Sequence, residues 1–188
     1  MTLDETLADA FARLREAVTD RASPFRTPAL ATVGEDGAPE VRTVVLRSFD
    51  AASRLLCVHT DARAAKHAEI FAVPTVALVA WDAVQRRQIR VRGRAVLHIG
   101  DAVAQADWDA LPSPTRNLYR LRQPPASPLP APLAGRDDVG TEADGFANFA
   151  VIAMTFDRLE TLHLADEGHI RARFEFAEGT MSASWMMP

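Results

Sequence analysis

The run Gln88-Ile89-Arg90-Val91-Arg92-Gly93-Arg94-Ala95 constrains this chain more than any other stretch of it. Along an extended strand successive side chains point to opposite faces. Ile89, Val91, Gly93 and Ala95 then share one face, and Gln88, Arg90, Arg92 and Arg94 share the other. A strand over 88–99 sorts the two sets cleanly, so the chain must build a sheet around it. Other segments join it. Ala29–Val33 and Val41–Leu46 flank Gly34-Glu35-Asp36-Gly37 and read as a hairpin. Arg54–Thr60 holds the buried-looking run Leu55-Leu56-Cys57-Val58, and Thr75–Trp81 follows. Phe149–Phe156, Leu159–Leu164, His169–Phe176 and Met181–Met187 read as the closing strands.

Helices are fewer. Thr2 and Glu5 fit a capping box, and Leu3, Leu7, Ala10, Phe11, Leu14 and Val18 recur at helical spacing, predicting a helix over about 3–19. Ala62–Phe71, Ala102–Leu111 and Pro114–Arg122 read as helical, whereas the proline-rich stretch 123–144 reads as a long loop. Many short strands with a few helices favour a mainly β architecture, a barrel or sandwich with helical decoration. A length of 188 residues fits a single domain over 1–188. With 48% hydrophobic residues the chain has material for a core without staples.

A net charge of −4 argues against nucleic acid as a partner. Cys57 is the only cysteine, so no intrachain disulfide or thiolate cluster is expected. The five histidines lack metal-ligand spacing, and no metal is expected. Neither a signal sequence nor a membrane-length apolar run is evident, so a cytoplasmic protein without a membrane partner is the expectation.

Four segments carry candidate chemistry. Arg42-Thr43-Val44-Val45-Leu46-Arg47 offers backbone groups to a heterocycle and a guanidinium to a phosphate, or is simply an edge strand with charged ends. His59-Thr60-Asp61-Ala62-Arg63-Ala64-Ala65-Lys66 places a hydroxyl and two cations at the start of a helix, which favours an anion there, or is an ordinary cap. Gln88, among the arginines of its strand face, has donors and acceptors that suit a flavin or pyrimidine edge; the alternative is a solvated sheet face. His169, Arg171 and Arg173 share a face of a late strand, where charged faces are commonly just solvated.

In this order and spacing the segments resemble the pyridoxamine 5'-phosphate oxidase family. The family shows an R-x-V-L-L-K strand, a Y-T-N-x-x-S-R-K phosphate segment and an R-Q-V-R-V-x-G strand. This chain answers with Arg42 to Arg47, with Thr60 and Lys66, and with Arg87-Gln88-Ile89-Arg90-Val91-Arg92-Gly93. The resemblance implies an FMN-binding split β-barrel homodimer with the cofactor at the subunit interface. It implies cofactor contacts at Arg42, Thr43, Val44, Val45, Thr60, Lys66 and Gln88, with His59 in place of the family's tyrosine. Ala65 stands where the family has arginine, and Arg63 is expected to supply that charge. Arg173 falls on the arginine that reaches the cofactor from the partner chain.

Substrate contacts are expected at Arg47, Tyr119, Ser127, His169 and Arg171; no catalytic residue is assigned. Several positions depart from the family. Gln123-Pro124 replaces an Arg-Pro pair, His169-Ile170-Arg171 inverts R-x-H, and Arg47 replaces a lysine. The expectation is therefore an FMN-binding, oxidoreductase-like protein of the oxidase-related branch, acting on a small molecule yet to be identified. A genuine pyridoxamine/pyridoxine 5'-phosphate oxidase is the alternative, and a non-catalytic flavin- or heme-binding protein the alternative of another class.

Overall fold

The computed structural model describes residues 1–131 and 139–188. In chain order the elements are α1 (Leu3–Thr19), β1 (Ala29–Val33), β2 (Pro39–Thr43), β3 (Leu46–Asp50), β4 (Leu55–Asp61), α2 (Ala65–Ala72), β5 (Thr75–Asp82) and β6 (Arg87–His98). There follow α3 (Ala102–Ala110), α4 (Ser113–Arg116), α5 (Glu142–Asn148), β7 (Phe149–His163), β8 (Ile170–Ala177) and β9 (Thr180–Met186).

All strand pairings are antiparallel, in the order β2-β1-β5-β6-β7-β4-β3. The sheet curls until its ends meet. Val44 N–H donates to the Pro28 carbonyl and Leu46 N–H to the Arg26 carbonyl, both at 2.9 Å, joining the start of β3 to the segment ahead of β1. The barrel splits along β7. Its first half pairs with β4 and its second half with β8, which carries β9. β6 accompanies β7 throughout, with a register shift between Arg92 and Gly93. A Cβ at Gly93 would stand 2.1 Å from the Thr155 carbonyl oxygen, so only glycine permits that approach.

The alternation of β6 appears as expected, with Ile89, Val91, Gly93 and Ala95 buried and Arg90, Arg92 and Arg94 exposed. The barrel interior is filled by Leu30, Leu46, Leu56, Val58, Ile89, Val91, Met154 and Phe156, and by α1 through Ala10, Leu14 and Ala17. The capping box of α1 is present, with Thr2 Oγ1 accepting from Glu5 N–H and Glu5 accepting from Thr2 N–H at 2.6 Å. A second apolar cluster lies on the opposite face of β4 and β7, where Cys57, Phe149, Val151 and Ala153 meet Trp108 of α3. This two-sided cover explains the continuous apolar run in β4: Leu56 and Val58 face the barrel, and Cys57 faces α3.

Several expected bounds change. Val41–Leu46 is not one strand, because the chain passes from β2 to β3 at Val44 and Val45 to close the barrel. The last two closing segments before His169 are one strand, β7. In Pro114–Arg122 only Ser113–Arg116 is helical, and Leu121 bridges to Val139. The expected loop 123–144 lies partly outside the described residues, and Glu142 to Asp144 belong to α5, capped by Thr141.

Candidate functional site

The start of α2 is built to receive negative charge. Ala64 provides no side-chain cap and the first turn carries no acid, so the helix dipole meets no compensating charge there, although the His67 N–H is engaged by the Ala64 carbonyl at 2.9 Å. Lys66 Nζ lies 3.1 Å from Thr60 Oγ1 at the end of β4. Burial, reinforced by the charge of Arg42, holds the Lys66 ammonium below its ordinary pKa. Arg42 reaches in from β2 and donates to Glu69 of α2 at 2.8 Å and to the Thr32 hydroxyl of β1. Arg42 thus pairs with the buried carboxylate of Glu69, which is 6% exposed, while Lys66 feels the charges of Glu69 and Asp61 without an ion pair to either among the described residues. Arg63, expected to add its charge here, instead grips Asp61 at 2.7 Å and the carbonyls of Leu121 and Arg122 at 3.0 Å. Its role is to tie the chain after α4 to the end of β4. At the β2–β3 junction the N–H groups of Val44 and Leu46 are engaged in barrel closure, while Val45 N–H takes no part in it. Thr43 is exposed at the end of β2.

A second group lies over the outer face of β3 and β4. The His59 imidazole, 7% exposed, meets Asp107 of α3 through Nε2 at 3.0 Å and packs edge-on against Phe149. Burial pushes its pKa down, against the pull of Asp107. Among the described residues, His59 Nδ1 and Arg47 Nε are buried without a hydrogen-bond partner. The Arg47 charge is felt by both His59 and Tyr119, whose phenol is pushed up to about 12 by burial. Arg47, His59 and Tyr119 are therefore brought together, and Asp107 joins them although no local motif pointed to it. Ser127 stands apart, in a largely apolar cleft of about 290 Å³ with Asp61, Leu118, Leu121, Pro124 and Leu129.

The third group occupies the outer face of β6, β7 and β8. Gln88 sits between Trp81 of β5 and Leu162 of β7 in register. Two positions along, Glu160 is 3% exposed and lies between Arg90 and Arg173. Arg171 reaches Glu160 at 2.7 Å and Arg173 reaches it at 3.1 Å. Burial works to raise the Glu160 carboxyl, but the Arg171 hydrogen bond and the charges of Arg90 and Arg173 together hold it below its usual value. His169 lies outside this cluster, ahead of β8, in a groove with Trp185 and Met186. Glu160 escaped the sequence reading, although an acid among apolar neighbours in β7 was a usable signal.

This geometry accords with three sets of relatives. Residues 8–99 match the family model described as pyridoxamine 5'-phosphate oxidase, FMN-binding domain. Pyridoxine/pyridoxamine 5'-phosphate oxidase of Nitrobacter winogradskyi is 34% identical over 139 residues, covering 73% of this chain and 63% of that protein. The protein of the same name from Bradyrhizobium diazoefficiens is 35% identical over 109 residues, covering 58% and 50%. The chain thus spans roughly half to two thirds of the length of these curated relatives. Among solved structures, a pyridoxamine 5'-phosphate oxidase-related, FMN-binding protein of Nostoc punctiforme superposes with a TM-score of 0.80 at 23% identity, covering 100% of this chain and 98% of that one. PhzG from Burkholderia lata, solved with tetrahydrophenazine-1-carboxylic acid, gives 0.76 at 18% identity, covering 100% and 94%. These likenesses identify the fold as that of the FMN-binding split barrels. No helix among the described residues is long and apolar enough to cross a membrane.

Proposed function

The chain belongs to the pyridoxamine 5'-phosphate oxidase-like family of FMN-binding split barrels, and from that premise we propose a flavin-dependent oxidoreductase that holds FMN between two copies of itself. The observation that carries this reading is the α2 entrance: an uncapped helix start, a half-buried ammonium whose hydrogen bond is to Thr60, and Arg42 beside it. These donors fit a phosphomonoester, which would accept from the first-turn N–H groups and compensate Lys66. Gln88 suits the pyrimidine edge of the ring, with Val45 offering a backbone N–H, and Arg173 would approach from the second copy. When bound, FMN supplies two-electron redox chemistry, while the protein binds, orients and tunes it. Arg47, Tyr119, Ser127, His169 and Arg171 are the side chains offered to substrate. Beside Tyr119, Arg47 Nε and His59 Nδ1 have no partner among the described residues, which supports a polar ligand.

The test is direct. Purified protein should be yellow, and the chromophore released on denaturation should co-chromatograph with FMN. Light scattering should report two chains per particle. A colourless protein that takes up no added FMN would overturn the reading. The convergence of Arg47 and Tyr119 favours a second, narrower reading as pyridoxamine/pyridoxine 5'-phosphate oxidase. That reading requires oxygen-dependent formation of pyridoxal 5'-phosphate from pyridoxamine 5'-phosphate by the pure protein.

A further inference from the structure

Beneath α1, at the start of β6 and the end of β7, lies a group of charged side chains that the site above does not use. It surrounds a cavity of about 20 Å³, lined by Asp9 and Arg13 of α1, Arg87 of β6, Thr161 and His163 of β7, and Ile170 ahead of them on β8. Arg87 and His163 are cross-strand neighbours, and Thr161 lies two positions back along β7. All three therefore point to the sheet face that α1 covers, opposite the face carrying Arg90 and Glu160.

Asp9 is the only acid among the described residues that line the cavity. A single oxygen of it, Oδ2, accepts from Arg13 Nε at 2.9 Å and from Arg87 Nη1 at 3.1 Å. Both arginine side chains are largely covered, 17% and 25% exposed. One carboxylate balances one guanidinium, so one positive charge is left over in a place only partly screened by water. Arg86, next along the chain, is held by Asp166 at 2.6 Å and brings no further acid to the cavity. The imidazole of His163 senses the same imbalance. Burial, then the charges of Arg87, Arg86 and Arg13, hold it below its ordinary pKa, against the pull of Asp9 alone. Donors also outnumber acceptors. The terminal nitrogens of Arg13, Nε and Nη2 of Arg87 and the Thr161 hydroxyl have no protein acceptor among the described residues.

Size and sign together narrow the occupant. A space of about 20 Å³ admits one water-sized particle and no phosphate or carboxylate group. A cation would be repelled, and water would leave the charge uncompensated. We propose that this cavity binds one chloride-sized anion, held by Arg13, Arg87 and the Thr161 hydroxyl. The anion supplies the second negative charge that Asp9 cannot, and it adds a tie between α1 and the barrel beside the Asp9–Arg87 bond. The site is separate from the α2 entrance and does not depend on the flavoprotein reading.

The test melts FMN-saturated protein in sodium chloride and in sodium gluconate at equal ionic strength, which fills the α2 entrance and holds general screening constant. Stability should rise saturably with chloride, the folding constant gaining about tenfold at ten times the chloride Kd. Crystals soaked in sodium bromide should show anomalous scattering within hydrogen-bond reach of Arg13 and Arg87. R87Q should weaken chloride by about tenfold and T161V by about threefold. R15Q, whose guanidinium lies over Phe49 on another face of α1, should stay within about twofold. The His163 pKa, followed by NMR, should be higher in chloride than in gluconate, because an adjacent anion favours the imidazolium. Equal stability in the two salts, bromide found only elsewhere, or equal losses in R87Q and R15Q would overturn the proposal. If R87Q does not fold, T161V and the bromide position in the parent decide. If no FMN binds, the same series on the flavin-free protein decides, and the bromide position separates this cavity from the α2 entrance.

Discussion

Replacing Lys66 by glutamine should have effects of opposite sign on the empty and the loaded protein. In the ligand-free fold the ammonium is half-buried beside Arg42, and its hydrogen bond is to Thr60. Burial and the Arg42 charge lower its pKa, so the unfolded chain holds that proton more tightly than the folded one. The charged form therefore disfavours folding at neutral pH, and the penalty fades only as pH rises toward the ordinary lysine pKa. Glutamine removes the charge, so the flavin-free protein should melt at a higher temperature. Loaded protein should respond the other way. A charge-assisted hydrogen bond to phosphate contributes about 1.5–3 kcal/mol, which is roughly ten- to a hundredfold in FMN affinity. At a fixed FMN concentration near 100 Kd, ligand linkage stabilises the parent by about 2.7 kcal/mol, and a tenfold weaker variant loses about 1.3 of that. FMN fluorescence quenching gives the affinity, and thermal melts with and without FMN give the two stabilities. Unchanged affinity would refute the phosphate assignment. A lower melting temperature for the flavin-free variant would refute the claim that Lys66 is strained in the empty site.

Other expectations follow from single features. Gly93→Ala drives a Cβ to 2.1 Å from the Thr155 carbonyl oxygen, and the forced backbone shift should cost about 1–3 kcal/mol or more in urea denaturation; an unchanged midpoint would contradict the close approach. His59 has a pKa lowered mainly by burial, so the unfolded chain takes the proton first and stability should fall as pH drops below the ordinary histidine value. His59→Phe, which keeps an aromatic ring against Phe149, should flatten that fall, and parallel pH–melting curves for parent and variant would exclude it. Arg63→Ala frees the carbonyls of Leu121 and Arg122 and leaves the buried Asp61 carboxylate without its guanidinium, so limited proteolysis should cut faster near 121–131 and the melting temperature should fall; equal cutting rates would deny the tether.

The family resemblance was legible because its motifs are local: a few residues in Arg42–Arg47, Thr60–Lys66 and Arg87–Gly93, in one order. The candidate site was legible only in pieces. Lys66 and Thr60 are close in sequence, so a helix start after a strand was enough to bring them together. Arg63 lies in the same segment, yet Asp61 and two carbonyls from 121–122 claim it, and nothing local marks that competition. The same holds for Asp107, which reaches His59 from 48 residues away once α3 has packed on β7.

What the sequence alone determined is the conformation whose causes lie within a few residues. The two-residue alternation of β6 could only be a strand with one buried face, and Thr2 with Glu5 could only begin a helix, because steric period and capping act locally. Tertiary structure decided what long-range register decides. It turned Val41–Leu46 into a junction between two strands, because closing the barrel uses the Val44 and Leu46 N–H groups on Pro28 and Arg26. It also set Glu160 of β7 between Arg90 and Arg173, converting a charged strand face into a fan of guanidiniums around one buried acid. Periodicity says which face a side chain takes, whereas pairing across strands far apart in the chain says what it meets there.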